Sequence, residues 1–133
     1  MATLDGVHAV TDVTGFGLAG HALEMARGAK LTARLRLDAL PWLPGVEAFA
    51  ADGVITGASG RTWASYGESM QLGANVSDTH RALLTDPQTS GGLLVSCAPE
   101  AADAVLALFH SQGFDDATVV GEMLEGDARV LVE

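Results

Sequence analysis

Two clusters of small, hydroxylated and acidic residues stand about seventy residues apart in the chain, Thr11-Asp12-Val13-Thr14-Gly15-Phe16-Gly17 and Thr85-Asp86-Pro87-Gln88-Thr89-Ser90-Gly91-Gly92. Both fall where regular structure begins or ends, so their backbone N–H groups can be aimed at an anion. A carboxylate beside such a turn repels a bare phosphate, but it binds a hard cation that bridges to phosphate oxygens. The chemistry this points to is a phosphate site completed by Mg²⁺, with Asp12 as metal ligand. Thr14, Gly15 and Gly17 of the first cluster, and Thr89, Ser90, Gly91 and Gly92 of the second, are the candidate ligand-binding residues. The hydroxyls supply donors, and the glycines allow close backbone approach.

The elements that must position these clusters follow from periodicity. His8 to Val13 reads as a strand, and Leu18, Ala19, Ala22, Leu23, Met25 and Ala26 then recur on one helical face, with Gly28 as a stop. Leu31, Ala33, Leu35 and Leu37 alternate with polar residues as in a half-buried strand. Pro44 opens a short helix over Val46 to Ala51, which Asp52-Gly53 closes. The five glycines between Gly53 and Gly73 predict a long loop. Ser77 caps a helix to Leu84, and Leu93 to Cys97 is an apolar strand. Pro99 starts a helix with Ala102, Val105, Leu106, Leu108 and Phe109 inward, ended by Gly113. Thr118–Leu124 and Ala128–Val132 form two strands joined as a hairpin through Glu125-Gly126-Asp127. This order predicts an α+β (mixed α/β) domain, a small mixed sheet covered by helices.

Gly15-Phe16-Gly17-Leu18-Ala19-Gly20 also matches the G-x-G-x-x-G dinucleotide fingerprint, with Asp38 after the next strand. Asp12 beside an unscreened pyrophosphate counts against that reading, as does the Pro- and Gly-rich region that replaces further β-α-β alternation. A structural alternative for the first cluster is that Asp12 or Thr14 only caps the helix and the glycines only permit close packing.

Composition narrows the function classes. The 133 residues suit one domain, and 17 acidic against 7 basic residues give a net charge of −10, which opposes a nucleic-acid backbone or an anionic membrane. No apolar stretch approaches a membrane span and no signal peptide opens the chain. The single Cys97 predicts no internal disulfide, an inert thiol buried in its strand, and a cytoplasmic protein. His8, His21, His80 and His110 are too dispersed for a zinc site, with His21 packing on the first helix. Arg61 is a candidate phosphate contact, and Trp42, Trp63 and Tyr66 are aromatic anchors able to stack on a base. No Ser, His and Asp arrangement suggests hydrolase chemistry.

The two clusters extended to Thr11–His21 and Leu84–Leu94, with Trp63-Ala64-Ser65-Tyr66-Gly67 and Val119-Val120-Gly121-Glu122 in the same order, resemble the C-terminal half of the selenophosphate synthetase (selenide, water dikinase) family. Aminoimidazole ribonucleotide synthetase, thiamine monophosphate kinase and a hydrogenase maturation protein are its more distant relatives. The resemblance implies a phosphotransferase that converts selenide, ATP and water to selenophosphate, AMP and orthophosphate, with ATP and Mg²⁺ as cofactors. In that family the aspartate at the position of Asp12 joins aspartates of the N-terminal half around Mg²⁺, and the glycine clusters lie near the nucleotide cleft.

The reactive Cys or selenocysteine, its Lys and most metal ligands of such enzymes belong to the N-terminal half, which this chain lacks. The resemblance therefore assigns it no catalytic residue. Residues 1–133 are expected to form one C-terminal domain, inactive alone, with the N-terminal half of the same enzyme as partner and a homodimer as assembly. A G-G-T-x-R-N-type segment of the family is altered here, with Gly57-Ala58-Ser59 and Thr62 where Gly-Gly-Thr and Asn are expected. The competing class is a non-catalytic nucleotide-binding or assembly module.

Overall fold

The structure, a computed structural model, describes residues 4–133. Six strands and five α-helices follow the order β1 (Val7–Asp12), α1 (Gly17–Ala29), β2 (Thr32–Leu35), α2 (Val46–Ala51), α3 (Gly57–Tyr66), β3 (Met70–Leu72), α4 (Asp78–Leu84), β4 (Leu93–Cys97), α5 (Ala102–Ser111), β5 (Gly121–Leu124) and β6 (Arg129–Val132). The mixed α/β class expected from sequence holds. The strands divide, however, into a two-stranded ribbon, β1-β4, and a four-stranded mixed sheet of order β3-β6-β2-β5.

The sheet and α1 share the core. Alternation along β2 and β6 sends Ala33, Leu35, Val130 and Val132 to one face, and Met70 joins them from β3. The buried stripe of α1, Ala19, Ala22, Leu23 and Ala26, closes over that cluster, and Leu84 of α4 completes it. Burying a side chain such as Leu23 contributes about 1.5–3 kcal/mol. The opposite face of β2 presents Arg34, which pairs with Glu122 and lies 3.3 Å from Glu133.

Three sequence expectations are corrected. First, β5 and β6 do not form a hairpin: β2 lies between them, antiparallel to β5 and parallel to β6. Thr32 is the register partner of both Leu124 and Arg129, and its hydroxyl donates to Asp127 O at 2.7 Å, so the Glu125–Ala128 turn passes over the end of β2. Second, the stretch predicted as a loop contains α3, a short 3₁₀ turn and β3. Thr56 caps α3 by accepting from Ser59 N, and the residues α3 buries are Ser59 and Thr62. Trp63 and Tyr66 of α3 also pack half-buried against the core, but Ser59 and Thr62 interrupt the apolar period that would announce the helix.

Third, Gly28 does not end α1. The helix runs to Ala29, and Lys30 takes the left-handed cap position (φ 57°), with its N–H directed at Ala26 O and Arg27 O. A β-carbon in that conformation carries a steric cost that glycine avoids. Lys30→Gly is expected to stabilise the domain by about 0.5–1 kcal/mol, the strain relieved exceeding the added chain entropy. Urea denaturation should show a higher midpoint at unchanged slope.

Candidate functional site

The ribbon unites the two clusters. β1 and β4 are antiparallel with Asp12 opposite Leu93, so the end of β1 and the start of β4 coincide. Beyond that pair, Val13 N–H donates to Gly92 O at 2.9 Å and Gln88 N–H donates to Thr14 O at 3.0 Å. The clusters also touch through glycines. A β-carbon on Gly91 would lie 1.8 Å from Val13 O, and one on Gly17 (φ +66°) 2.7 Å from Leu84 O. These two positions require glycine, one for close approach and the other for approach and conformation together.

The candidate residues divide by exposure. Asp12, Gly15, Thr89, Ser90 and Gly92 are exposed along one edge of the loops, whereas Gly17 is buried and Thr14 and Gly91 are half-buried. Gly15 and Gly92 have open space where a side chain would stand. That edge offers one carboxylate, hydroxyls and unencumbered backbone, a donor set suited to a hydrated Mg²⁺ carrying a phosphate. Among the described residues no three His, Cys, Asp or Glu side chains converge as a metal-binding group.

Capping does not explain the first cluster. The α1 N-cap is Phe16, without a side-chain cap bond, and neither Asp12 nor Thr14 occupies that position. Gly17 N–H donates to the backbone oxygen of Thr14. The dinucleotide reading also fails, because β1 and β2 lie in different sheets and β1 pairs antiparallel with β4, whereas that fold needs adjacent parallel strands.

Several contacts that hold the site were not legible in the sequence. Asp86 accepts a hydrogen bond from the Thr56 hydroxyl at 2.7 Å, tying the second cluster to the start of α3. Thr85, fully buried, shares a 2.7 Å hydroxyl bond with Ser59 and donates to Arg81 O. Thr14 Oγ1 lies 3.2 Å from His21 Nε2. Side-chain types and spacing carried no signal for these pairs.

α3 forms the far wall of a shallow cleft of about 230 Å³ beside the first cluster, lined by Gly15, Phe16, Arg61, Thr62, Ser65 and Tyr66. Arg61 therefore reaches the site from a helix, and not from a flexible loop. Thr62 is buried, with its methyl toward Gly20. Tyr66 meets Phe16 edge-on at 5.3 Å, while Trp63 is covered by the Arg81 guanidinium at 5.2 Å. A larger cleft of about 320 Å³ near Trp42, Glu47 and His80 contains no cluster residue. Cys97 is half-buried opposite Val7, less enclosed than its apolar run predicts. No helix among the described residues is long and apolar enough to cross a membrane.

All 133 residues match the family described as AIR synthase related protein, C-terminal domain. The chain belongs to that family. It is 66% identical over 98% of its length to selenide, water dikinase of Burkholderia pseudomallei and 58% identical over 99% to that of Pseudomonas straminea. It spans 37% of the length of each of these curated relatives. Among solved structures it is similar to HypE of E. coli, a hydrogenase maturation protein, with TM-score 0.62 at 22% identity over 97% of this chain and 33% of that one. Thiamine-monophosphate kinase of Stenotrophomonas maltophilia gives 0.53 at 20% identity, over 96% and 32%. At those identities the likeness concerns the fold.

The glycine contacts make the local architecture testable. Gly91→Ala is expected to lower stability by about 1–3 kcal/mol through overlap with Val13 O, whereas exposed Gly92→Ala should stay within about 0.5 kcal/mol. Urea unfolding of the two variants checks this.

Proposed function

We propose that this chain is the C-terminal domain of an ATP-dependent phosphotransferase that makes selenophosphate from selenide, ATP and water, releasing AMP and orthophosphate. The observation that carries the proposal is the β1-β4 register, which brings the two clusters side by side with Asp12, Gly15, Thr89, Ser90 and Gly92 exposed. The identity to curated selenide, water dikinases over nearly the whole chain supports the choice of reaction.

In this reading Asp12 donates one carboxylate to Mg²⁺, and the remaining ligands come from an N-terminal half equivalent to the rest of the relatives' length. When bound, Mg²⁺ neutralises phosphate charge in a chain whose own net charge is −10. Thr14, Gly15 and Gly17, with Thr89, Ser90, Gly91 and Gly92, shape the backbone wall that faces the nucleotide phosphates. Arg61, across the cleft from Gly15, is a second positive group for the same ligand. The cysteine or selenocysteine chemistry belongs to the N-terminal half, and residues 1–133 alone hold no complete catalytic set. We assign the assembled enzyme to the cytoplasm as a homodimer.

One carboxylate is a poor Mg²⁺ site because the ion sheds water reluctantly and needs several charges to compensate. The isolated chain is thus expected to leave ATP intact. Co-expressed with the upstream part of the Burkholderia pseudomallei relative, it should form a stable complex. With Mg²⁺, ATP and selenide, phosphorus NMR should show AMP and a selenium-bonded phosphorus signal. Asp12→Asn should reduce that turnover by at least about 100-fold through loss of a metal ligand. A stable complex that leaves ATP untouched would overturn the reading in favour of a non-catalytic binding or assembly module.

A further inference from the structure

His21 sits on the buried side of α1 with its side chain only 8% exposed, yet it carries two polar nitrogens. Nε2 is 3.2 Å from Thr14 Oγ1. Nδ1 is 3.1 Å from Glu24 Oε2, one helical turn on, at an angle that falls short of a hydrogen bond, and it has no other partner. Phe16 roofs the imidazole, its ring centroid 5.5 Å away, and its β-carbon sits where any side chain at Gly20 would have to go. The imidazole is therefore enclosed by the first cluster and bound to that cluster's threonine.

From this geometry we propose that His21 is the positioning residue of the first cluster: its Nε2, bonded to the Thr14 hydroxyl inside this enclosure, locks the loop from Val13 to Phe16 onto the second cluster. With the side chain only 8% exposed, water is kept from replacing that bond.

Held by this bond, Thr14 keeps one rotamer, which steadies the peptide whose carbonyl accepts from both Gly17 N–H and Gln88 N–H. Any bearing on Mg²⁺ and nucleotide binding rests on the proposed phosphotransferase reading; the locking of the two clusters does not.

In hydrogen exchange, His21→Leu should speed the Gly17 and Gln88 amides about 5–10-fold, the loss of one hydrogen bond. The Val13 amide, bonded to Gly92 O within the ribbon, should keep its protection. Thr14→Val should give the same selective rise, and His21→Gln, whose amide reaches the Nε2 position, should suppress it. Exchange that rises equally at Gly17, Gln88 and Val13, or at none of them, would overturn the proposal. These readouts need neither nucleotide nor partner, so they stand or fail separately from the reaction. In the assembled enzyme, His21→Leu should raise KM for ATP with little change in kcat, and His21→Gln should restore it.

Discussion

The pairing of β1 with β4 is the constraint on which the rest of the molecule turns. These strands are far apart in sequence, and a two-stranded ribbon is marginal by itself. The chain reinforces it at the end that carries the two clusters, with Val13 bonded to Gly92, Gln88 to Thr14, and Gly91 and Gly17 pressed against opposing backbone. At its other end Ala98 N–H donates to Gly6 O. Because each of the contacts at the first end involves a cluster residue, pairing of the ribbon and juxtaposition of the clusters are one event. Loss of register by one residue would reverse the facing of Asp12 and Leu93 and dissolve the edge.

Electrostatics explains why that edge looks incomplete. An acidic chain does not attract an anionic ligand through its overall field, and the edge carries its own carboxylate at Asp12. Under the proposed reading the carboxylate contributes only when a divalent cation joins it, and such a cation wants further oxygen ligands from elsewhere. A half-site on an exposed edge suits an enzyme whose metal ligands are divided between two domains. The exposed apolar side chains of the ribbon, Val10 at 43% and Leu93 at 52%, lie along the same strands.

Elements whose signals are local were legible in the sequence. The apolar stripe of α1, the alternation of β2, the Pro44 and Ser77 helix starts and the apolar β4 run all appear where periodicity and caps put them. What escaped depends on partners distant in the chain. The α3 helix buries Ser59 and Thr62 and contains Gly57 and Gly60, so its composition resembles a loop. The β5-β6 turn has hairpin chemistry, but nothing local reveals that Thr32 and its strand occupy the space between. At the site, the residue types of both clusters were readable, whereas the bonds Thr56–Asp86, Ser59–Thr85 and Thr14–His21 exist only once helices and ribbon have packed.

That division of polar residues separates shape from chemistry. Thr14 pairs with His21, Thr56 with Asp86 and Ser59 with Thr85, and for the buried Ser59 and Thr85 this removes the desolvation penalty an unpaired polar group would carry. Asp12, Thr89 and Ser90 stay exposed, where water can satisfy them until a ligand replaces it. The inner set fixes where the outer set stands, since each member bridges a cluster to α1, α3 or α4. A substitution in the inner set should therefore displace the edge while leaving its functional groups intact, and one in the outer set should change those groups while leaving the fold unmoved. Under the proposed reading, similarity confined to the outer set would preserve ligand chemistry without its geometry, so binding would depend on both sets together.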